Sequence, residues 1–127
     1  MSSNAITPEA ARIAEHYIAA WNETDAQRRL GLLEQHWTSD ATYVDPVMQG
    51  SGLAQINTLI GGVHQRYPGF RFALKGQADA HGDHLRFSWT LGPSGAEDLV
   101  EGTDFVALQR GKLRAVTGFL DKVPVGA

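Results

Sequence analysis

Gly102-Thr103-Asp104-Phe105-Val106-Ala107-Leu108-Gln109 is a β-branched and aromatic run that carries a single carboxylate. Because side chains alternate between the two faces of a strand, Asp104 shares a face with Val106 and Leu108. An ionised carboxylate among apolar neighbours is costly unless it is paired or hydrogen-bonded, and such a group commonly takes up a proton. Asp104 is therefore either bonded to a neighbouring loop or a hydrogen-bond donor inside a dry pocket.

Two segments ahead of this run alternate between apolar and polar residues, and the quoted run itself, which is apolar on both faces, reaches back to Leu99. This alternation predicts antiparallel strands with one buried face. Turn sequences separate the strands at His81-Gly82-Asp83, Gly92-Pro93-Ser94-Gly95 and Arg110-Gly111. The three further strands are predicted at Phe70 to Lys75, Leu85 to Leu91 and Leu113 to Asp121.

Apolar residues at spacings of three and four predict three helices ahead of these strands. Thr7 is the expected N-cap of the first helix, and Asp25 is the expected N-cap of the second. Gly50-Ser51-Gly52 opens the third helix, which stops before Pro68-Gly69. The predicted extents are Pro8 to about Asn22, Ala26 to about Trp37, and Leu53 to Tyr67.

A short strand, Ala41 to Asp45, is predicted between the second and third helices. Pro46 ends it, because proline cannot donate in a ladder and restrains the preceding residue to an extended conformation. Tyr43 and Asp45 point to the same side of this strand. Since residues 46–51 read as a loop, we expect Asp45 to keep water or backbone donors around its carboxylate.

Three helices and a mostly antiparallel sheet of about five strands predict an α+β fold, and 127 residues suit one domain spanning 1–127. A curled sheet wrapped over a long helix encloses a conical pocket with an apolar lining. Tyr17 lies on the apolar stripe of the first helix, as a core aromatic with a polar partner or as a donor aimed into that pocket. The expected lining is Trp37, Leu59, Val63, Phe87, Trp89, Val100, Val116 and Leu120.

The composition excludes several classes of function. With 43% apolar and 20% charged residues and a net charge of −3, the chain is an ordinary soluble globular protein. Its eleven Lys and Arg residues are scattered, which argues against binding nucleic acid. The absence of cysteine excludes disulfides and thiolate metal sites, and His81 and His84 flank a turn rather than forming a metal motif. No apolar run approaches membrane-spanning length, so we expect a cytoplasmic protein that needs no membrane. We also expect that it needs no metal and no cofactor.

The residues resemble the NTF2-like superfamily and its SnoaL-like branch over nearly the whole chain, and three positions resemble ketosteroid isomerase. The first is Tyr17 in His16-Tyr17-Ile18, ahead of an acidic turn. The second is Asp45 before Pro46, and the third is Asp104 ahead of Arg110-Gly111-Lys112. The resemblance implies a cone-shaped α+β barrel that binds a small apolar ligand with a carbonyl group.

The resemblance also implies a reaction. Asp45 would abstract a proton next to the carbonyl, and Tyr17 with a neutral Asp104 would hold the resulting enolate. We therefore expect Asp104 to be protonated at neutral pH and Asp45 to be ionised. The isomerase supports its tyrosine with further tyrosines, whereas the matching positions here are Trp37 and Ile60.

Other functions of this superfamily remain open from the sequence. Limonene-epoxide hydrolases carry an arginine where this chain has Gly102, so that activity is discounted. Aldol cyclases of the SnoaL type pair an aspartate with a histidine, for which His16, His36 and His64 are the candidates. A non-catalytic protein that binds an apolar ligand is the third alternative, since a shared fold does not imply a shared reaction.

A homodimer is expected from the outward face of the predicted sheet. This face is too apolar to stay fully exposed to solvent, since it carries Phe105, Ala107, Thr117 and Phe119. Relatives with the NTF2-like fold commonly pair through the corresponding face.

Overall fold

The hydrophobic repeat of the chain changes from helical to strand-like after Pro68-Gly69, and the fold follows that change. The computed structural model describes residues 8–93 and 99–124. The expected α+β fold is confirmed, with three helices packed on a curved, open sheet of six strands. The elements in chain order are α1 (Pro8–Asn22), α2 (Ala26–His36), β1 (Trp37–Val44), β2 (Gln49–Ser51), α3 (Leu53–Arg66), β3 (Phe70–His81), β4 (His84–Pro93), β5 (Val100–Gln109) and β6 (Lys112–Lys122).

Helix boundaries agree closely with the sequence where the structure describes them. The Asp25 side chain accepts a hydrogen bond from the backbone N–H of Arg28, which confirms the predicted cap of α2. Gly52 precedes α3 with a φ of 84°, a left-handed conformation that glycine adopts readily. The predicted cap Thr7 and the second half of the predicted turn, Ser94-Gly95, lie outside the described residues.

The sheet is mixed, with strand order β2-β1-β6-β5-β4-β3. All neighbouring strands are antiparallel except β1 and β6, which are parallel. This one parallel pair brings the end of β1, close to Asp45, beside the C-terminal strand, because Tyr43 lies opposite Val116 and Val44 opposite Thr117. The carboxylate of Asp45 thereby reaches the strand that also pairs with Asp104.

Three strand predictions need correction. β1 starts at Trp37, where α2 was expected to continue, because Trp37 pairs with Leu113 ahead of an irregularity in the strand. β2 was predicted as loop, since three residues are too few to show a period. β3 continues past Lys75 to His81, across an irregularity that contains Gly76 at a φ of 73°.

The alternation predicted for β5 is confirmed. Asp104 and Val106 are buried on the face that meets the helices, whereas Phe105 is exposed on the other face. The same face of β4 carries Leu85, Phe87, Trp89 and Leu91, all of them buried. Asp104 therefore sits in the interior of the fold, at 1% exposure.

Two phenylalanines stand on the outward face of the sheet, where the sequence predicts a dimer contact. Phe105 is 45% and Phe119 is 51% exposed, and their rings meet edge to face at 5.7 Å. Pairing of this face with a second copy stays a prediction, which static light scattering of the purified protein tests. Within the described ranges, no helix is long and apolar enough to cross a membrane.

Candidate active site

A cavity of about 530 Å³ lies between the helices and the concave face of the sheet. The three residues proposed for catalysis, Tyr17, Asp45 and Asp104, all line it. Five of the eight expected lining residues also do so, namely Leu59, Val63, Trp89, Val100 and Leu120. The structure thus brings the ionisable side chains and most of the expected apolar lining to one place.

Three expected lining residues do not reach the cavity. Trp37, Phe87 and Val116 are each at most 2% exposed and pack in the core. Tyr17 covers two of them, because its ring stacks on Trp37 at 5.7 Å and meets the edge of Phe87 at 4.8 Å. Val116 pairs with Val106, beyond Asp104 along β5, where the core is closed. Strand alternation predicts the face of a residue but not its depth along the cone.

The sequence analysis missed much of the remaining lining. Trp21 lies one turn after Tyr17 on the predicted stripe of α1, and Phe72 and Leu91 lie on the buried faces of their strands, so periodicity could have identified all three. Residues from loops and element ends carry no such signal. The lining that was not expected comprises Trp21, Tyr43, Val47, Met48, Thr58, Gly62, Arg66, Tyr67, Phe72, Leu91, Val123 and Pro124.

Tyr17 and Asp104 form a buried hydrogen bond. The Tyr17 hydroxyl donates to Oδ2 of Asp104 at 2.5 Å, across 87 residues of sequence. Burial and the neighbouring Asp104 carboxylate both raise the pKa of Tyr17 well above its ordinary value. The hydroxyl therefore keeps its proton and is a permanent donor in the cavity.

Asp104 has an altered proton affinity with several causes. Burial is the main reason that the pKa of Asp104 is raised from 3.8 to about 6, while the hydrogen bond from Tyr17 and the neighbouring Trp89 indole act in the downward direction. The charges of Asp45 and Asp121 act in the upward direction. The expected direction is confirmed, but the expectation of a protonated Asp104 at neutral pH is wrong, because a pKa of about 6 leaves the ionised form dominant at pH 7.

Asp45 has the opposite environment. Its Oδ1 accepts hydrogen bonds from the backbone N–H groups of Val47 at 2.8 Å and Met48 at 2.9 Å. Its Oδ2 accepts one from the Tyr43 hydroxyl at 2.6 Å. Three donors therefore surround this carboxylate, two of them backbone N–H groups, as the sequence predicted for a residue beside a loop. Burial raises the pKa of Tyr43, so its hydroxyl also stays protonated.

Gly118 of β6 provides the space in which these groups meet. A Cβ atom at this position would lie 2.8 Å from Oδ1 of Asp104, 3.3 Å from Cβ of Asp45 and 3.4 Å from the Tyr43 hydroxyl. The side chains of Asp45 and Asp104 therefore both lie beside the position that a Cβ atom of residue 118 would take. No alternation or periodicity in the sequence singles out this residue.

Histidines take no part in the cavity lining that the structure describes. His64 donates from Nε2 to the backbone carbonyl of Trp21 at 2.7 Å, and His16 stacks on His36 with ring centroids 4.0 Å apart. Among the described residues, no group of three or more histidine, aspartate or glutamate side chains could hold a metal ion.

The raised pKa of Asp104 predicts how stability depends on pH. Between the ordinary value of 3.8 and about 6, the folded state binds more protons at this site than the unfolded state. The free energy of unfolding should therefore fall as pH rises through this window, by about 3 kcal/mol from this group, and then level off. Urea unfolding at a series of pH values measures the slope. Asp104→Asn should remove this contribution and gain stability at pH 7, and an unchanged slope in that variant would contradict the prediction.

Known proteins share this architecture. The SnoaL-like domain family matches residues 14–116. No curated protein matches the sequence. A solved structure of an inferred isomerase of the SnoaL-like family from Agrobacterium tumefaciens strain C58 is 44% identical, with 91% of this chain and 99% of that chain covered and a TM-score of 0.87.

Two more distant structures share the fold. An inferred ketosteroid isomerase from Kribbella flavida is 21% identical, with a TM-score of 0.69 over 95% of this chain and 84% of that chain. An inferred SnoaL-like polyketide cyclase from Jannaschia sp. CCS1 is 14% identical, with a TM-score of 0.73 over 95% of this chain and 91% of that one.

Proposed function

The chain belongs to the SnoaL-like domain family, and from this membership and the carboxylates in its cavity we propose that it moves a proton next to the carbonyl group of a small apolar ligand. The proposal needs no cofactor. The observation that carries it is the meeting of the Asp45 carboxylate with the buried, hydrogen-bonded pair Tyr17 and Asp104 in one apolar cavity.

The proposed reaction has two proton transfers. Asp45 takes the proton from the carbon next to the carbonyl, and the electrons of that C–H bond form an enolate. The enolate oxygen accepts hydrogen bonds from the Tyr17 hydroxyl and from Asp104 in its protonated form. Asp45 then returns the proton to a carbon of the conjugated system, so that the double bond moves and no other reactant is consumed.

The charge state of Asp104 couples ligand binding to proton uptake. At pH 7 the pKa of about 6 leaves Asp104 mostly ionised, and Tyr17 donates to it. An enolate oxygen in the same place would repel this carboxylate, so Asp104 must gain a proton when the enolate forms or when an enolate mimic binds. Tyr17 can then turn its hydrogen bond toward the ligand oxygen.

Two measurements test this function. Proton NMR in heavy water should detect exchange of the hydrogens next to the carbonyl of cyclic ketones and enones, at a rate above that of buffer. Calorimetry in two buffers of different ionisation enthalpy should detect net proton uptake when a phenolate binds at pH 7. Phenolate binding without any exchange would leave the non-catalytic alternative, and exchange without proton uptake would remove Asp104 from the oxygen site.

Aldol chemistry of the cyclase type is less well supported by the cavity. It would pair an aspartate with a histidine, and the described lining contains none. The cytoplasmic location stays a proposal from the sequence, and cell fractionation tests it.

A further inference from the structure

Trp89 of β4 lies flat over the backbone of Gly102 in β5. The two residues are directly opposite in the antiparallel pair. A Cβ atom at position 102 would lie 2.2 Å from Cζ2 and 2.6 Å from Cε2 of the indole, distances that no real side chain can adopt. Position 102 therefore has to be glycine for the indole to lie across β5.

The indole N–H of Trp89 and one oxygen of Asp104 are both buried without a conventional partner. Nε1 is bonded to Cε2, the atom that lies over Gly102, and Trp89 is 8% exposed. Neither Nε1 nor Oδ1 of Asp104 completes a hydrogen bond with any described residue. Gly102 and Asp104 are two residues apart, so they share a face of β5, and Trp89 is a diagonal neighbour of Asp104 across the strands. An unpaired donor and an unpaired acceptor in a dry interior each cost free energy of folding. A hydrogen bond from the indole N–H to the carboxylate would remove both costs.

We propose that Trp89 is a positioning residue for Asp104, and that its indole N–H, seated by Gly102, is a second donor to the carboxylate beside the Tyr17 hydroxyl. Together the two donors favour the ionised form of Asp104. The functional consequence rests on the proposed proton transfer, in which Asp104 must gain a proton before it can donate to a ligand oxygen. Trp89 would then set the pH range over which the site accepts an enolate.

The other groups around Asp104 are consistent with this role. Tyr17 faces it from α1, Tyr43 from β1 and Asp45 from the loop after β1, whereas Asp121 of β6 accepts a hydrogen bond from Thr103 on the other face of β5. Tyr17 and Trp89 lower the pKa of Asp104, whereas the charges of Asp45 and Asp121 raise it. Because the indole carries no charge, removing its N–H changes the hydrogen bonding of Asp104 without adding or removing a charge.

Trp89→Phe is the direct test, because it keeps an aromatic ring over Gly102 and removes the N–H. Carbon NMR of the Asp104 carboxyl should show its titration midpoint moving upward by about one pH unit, the size expected from one lost hydrogen bond. The protonated fraction at pH 7 then rises, so a phenol that is already ionised over the range studied should bind about fivefold more tightly. A purely structural role for Trp89 would weaken binding instead.

Two further variants complete the experiment. Trp37→Phe removes another buried indole N–H that has no partner among the described residues, and it should leave the Asp104 midpoint unchanged. Gly102→Ala displaces the indole without altering it, and it should shift the midpoint in the same direction as Trp89→Phe. An unchanged or lowered midpoint in Trp89→Phe would overturn the proposal. A raised midpoint without tighter phenolate binding would support the role of Trp89 and refute the oxygen site of the proposed function.

Discussion

Asp45→Asn should reduce the exchange of hydrogens next to a ligand carbonyl by about 10²- to 10⁴-fold, the usual contribution of a positioned general base. The amide cannot accept the proton, because it lacks the basic carboxylate. Its oxygen can still accept the two backbone hydrogen bonds from Val47 and Met48, so the loop after β1 should keep its conformation. The measurement is the exchange rate of a bound ketone in heavy water, followed by proton NMR.

The variant must be compared with a binding measurement. Asp45→Asn should bind a phenol at least as well as the original protein, since the oxygen site of Tyr17 and Asp104 is intact and a nearby negative charge is gone. Exchange that persists at the original rate would exclude Asp45 as the base. Loss of both exchange and binding would point to a collapsed cavity, which the melting temperature would reveal.

Gly118→Ala should disrupt the site and destabilise the fold together. The added methyl group would lie 2.8 Å from Oδ1 of Asp104, which is too close for a carbon and an oxygen, and 3.3 Å from Cβ of Asp45. Oδ1 belongs to a buried side chain at 1% exposure, so the carboxylate has little room to move away. We expect a loss of about 1 to 3 kcal/mol in the free energy of unfolding and at least a tenfold loss in phenolate affinity.

Gly31→Ala is the matched control for this substitution. Gly31 lies within α2, and a Cβ atom there would meet nothing within 4 Å. Alanine is the better helix former by about 1 kcal/mol, so this variant should be more stable and should bind a phenolate as the original protein does. Denaturant titration of both variants separates a local clash from a general effect of glycine replacement. Equal stability for Gly118→Ala and the original protein would contradict the crowding around Asp104.

Most secondary structure could be predicted because its signals are local. The apolar stripe of α1, the capping side chain of Asp25 and the alternation in β4 and β5 each depend on residues a few positions apart. The missed elements depend on pairing at a distance. β2 exists because Gly50 lies opposite Tyr43, and β1 starts at Trp37 because Leu113 is its partner, so neither could be found in a window of sequence.

The sequence by itself determined which residue types the interior would contain: a tyrosine on the buried stripe of α1, an aspartate ahead of Pro46 and an aspartate on the inner face of β5. Only the tertiary structure decided what each of them meets. Tyr17 bonds Asp104 across 87 residues, and Asp45 is held by Tyr43 and its own loop. The charge of Asp104 depends on a balance between burial, which disfavours the carboxylate, and the Tyr17 donor from α1, which favours it. Alternation along a strand specifies a face, whereas depth, donors and nearby charges arise from elements that only folding brings together.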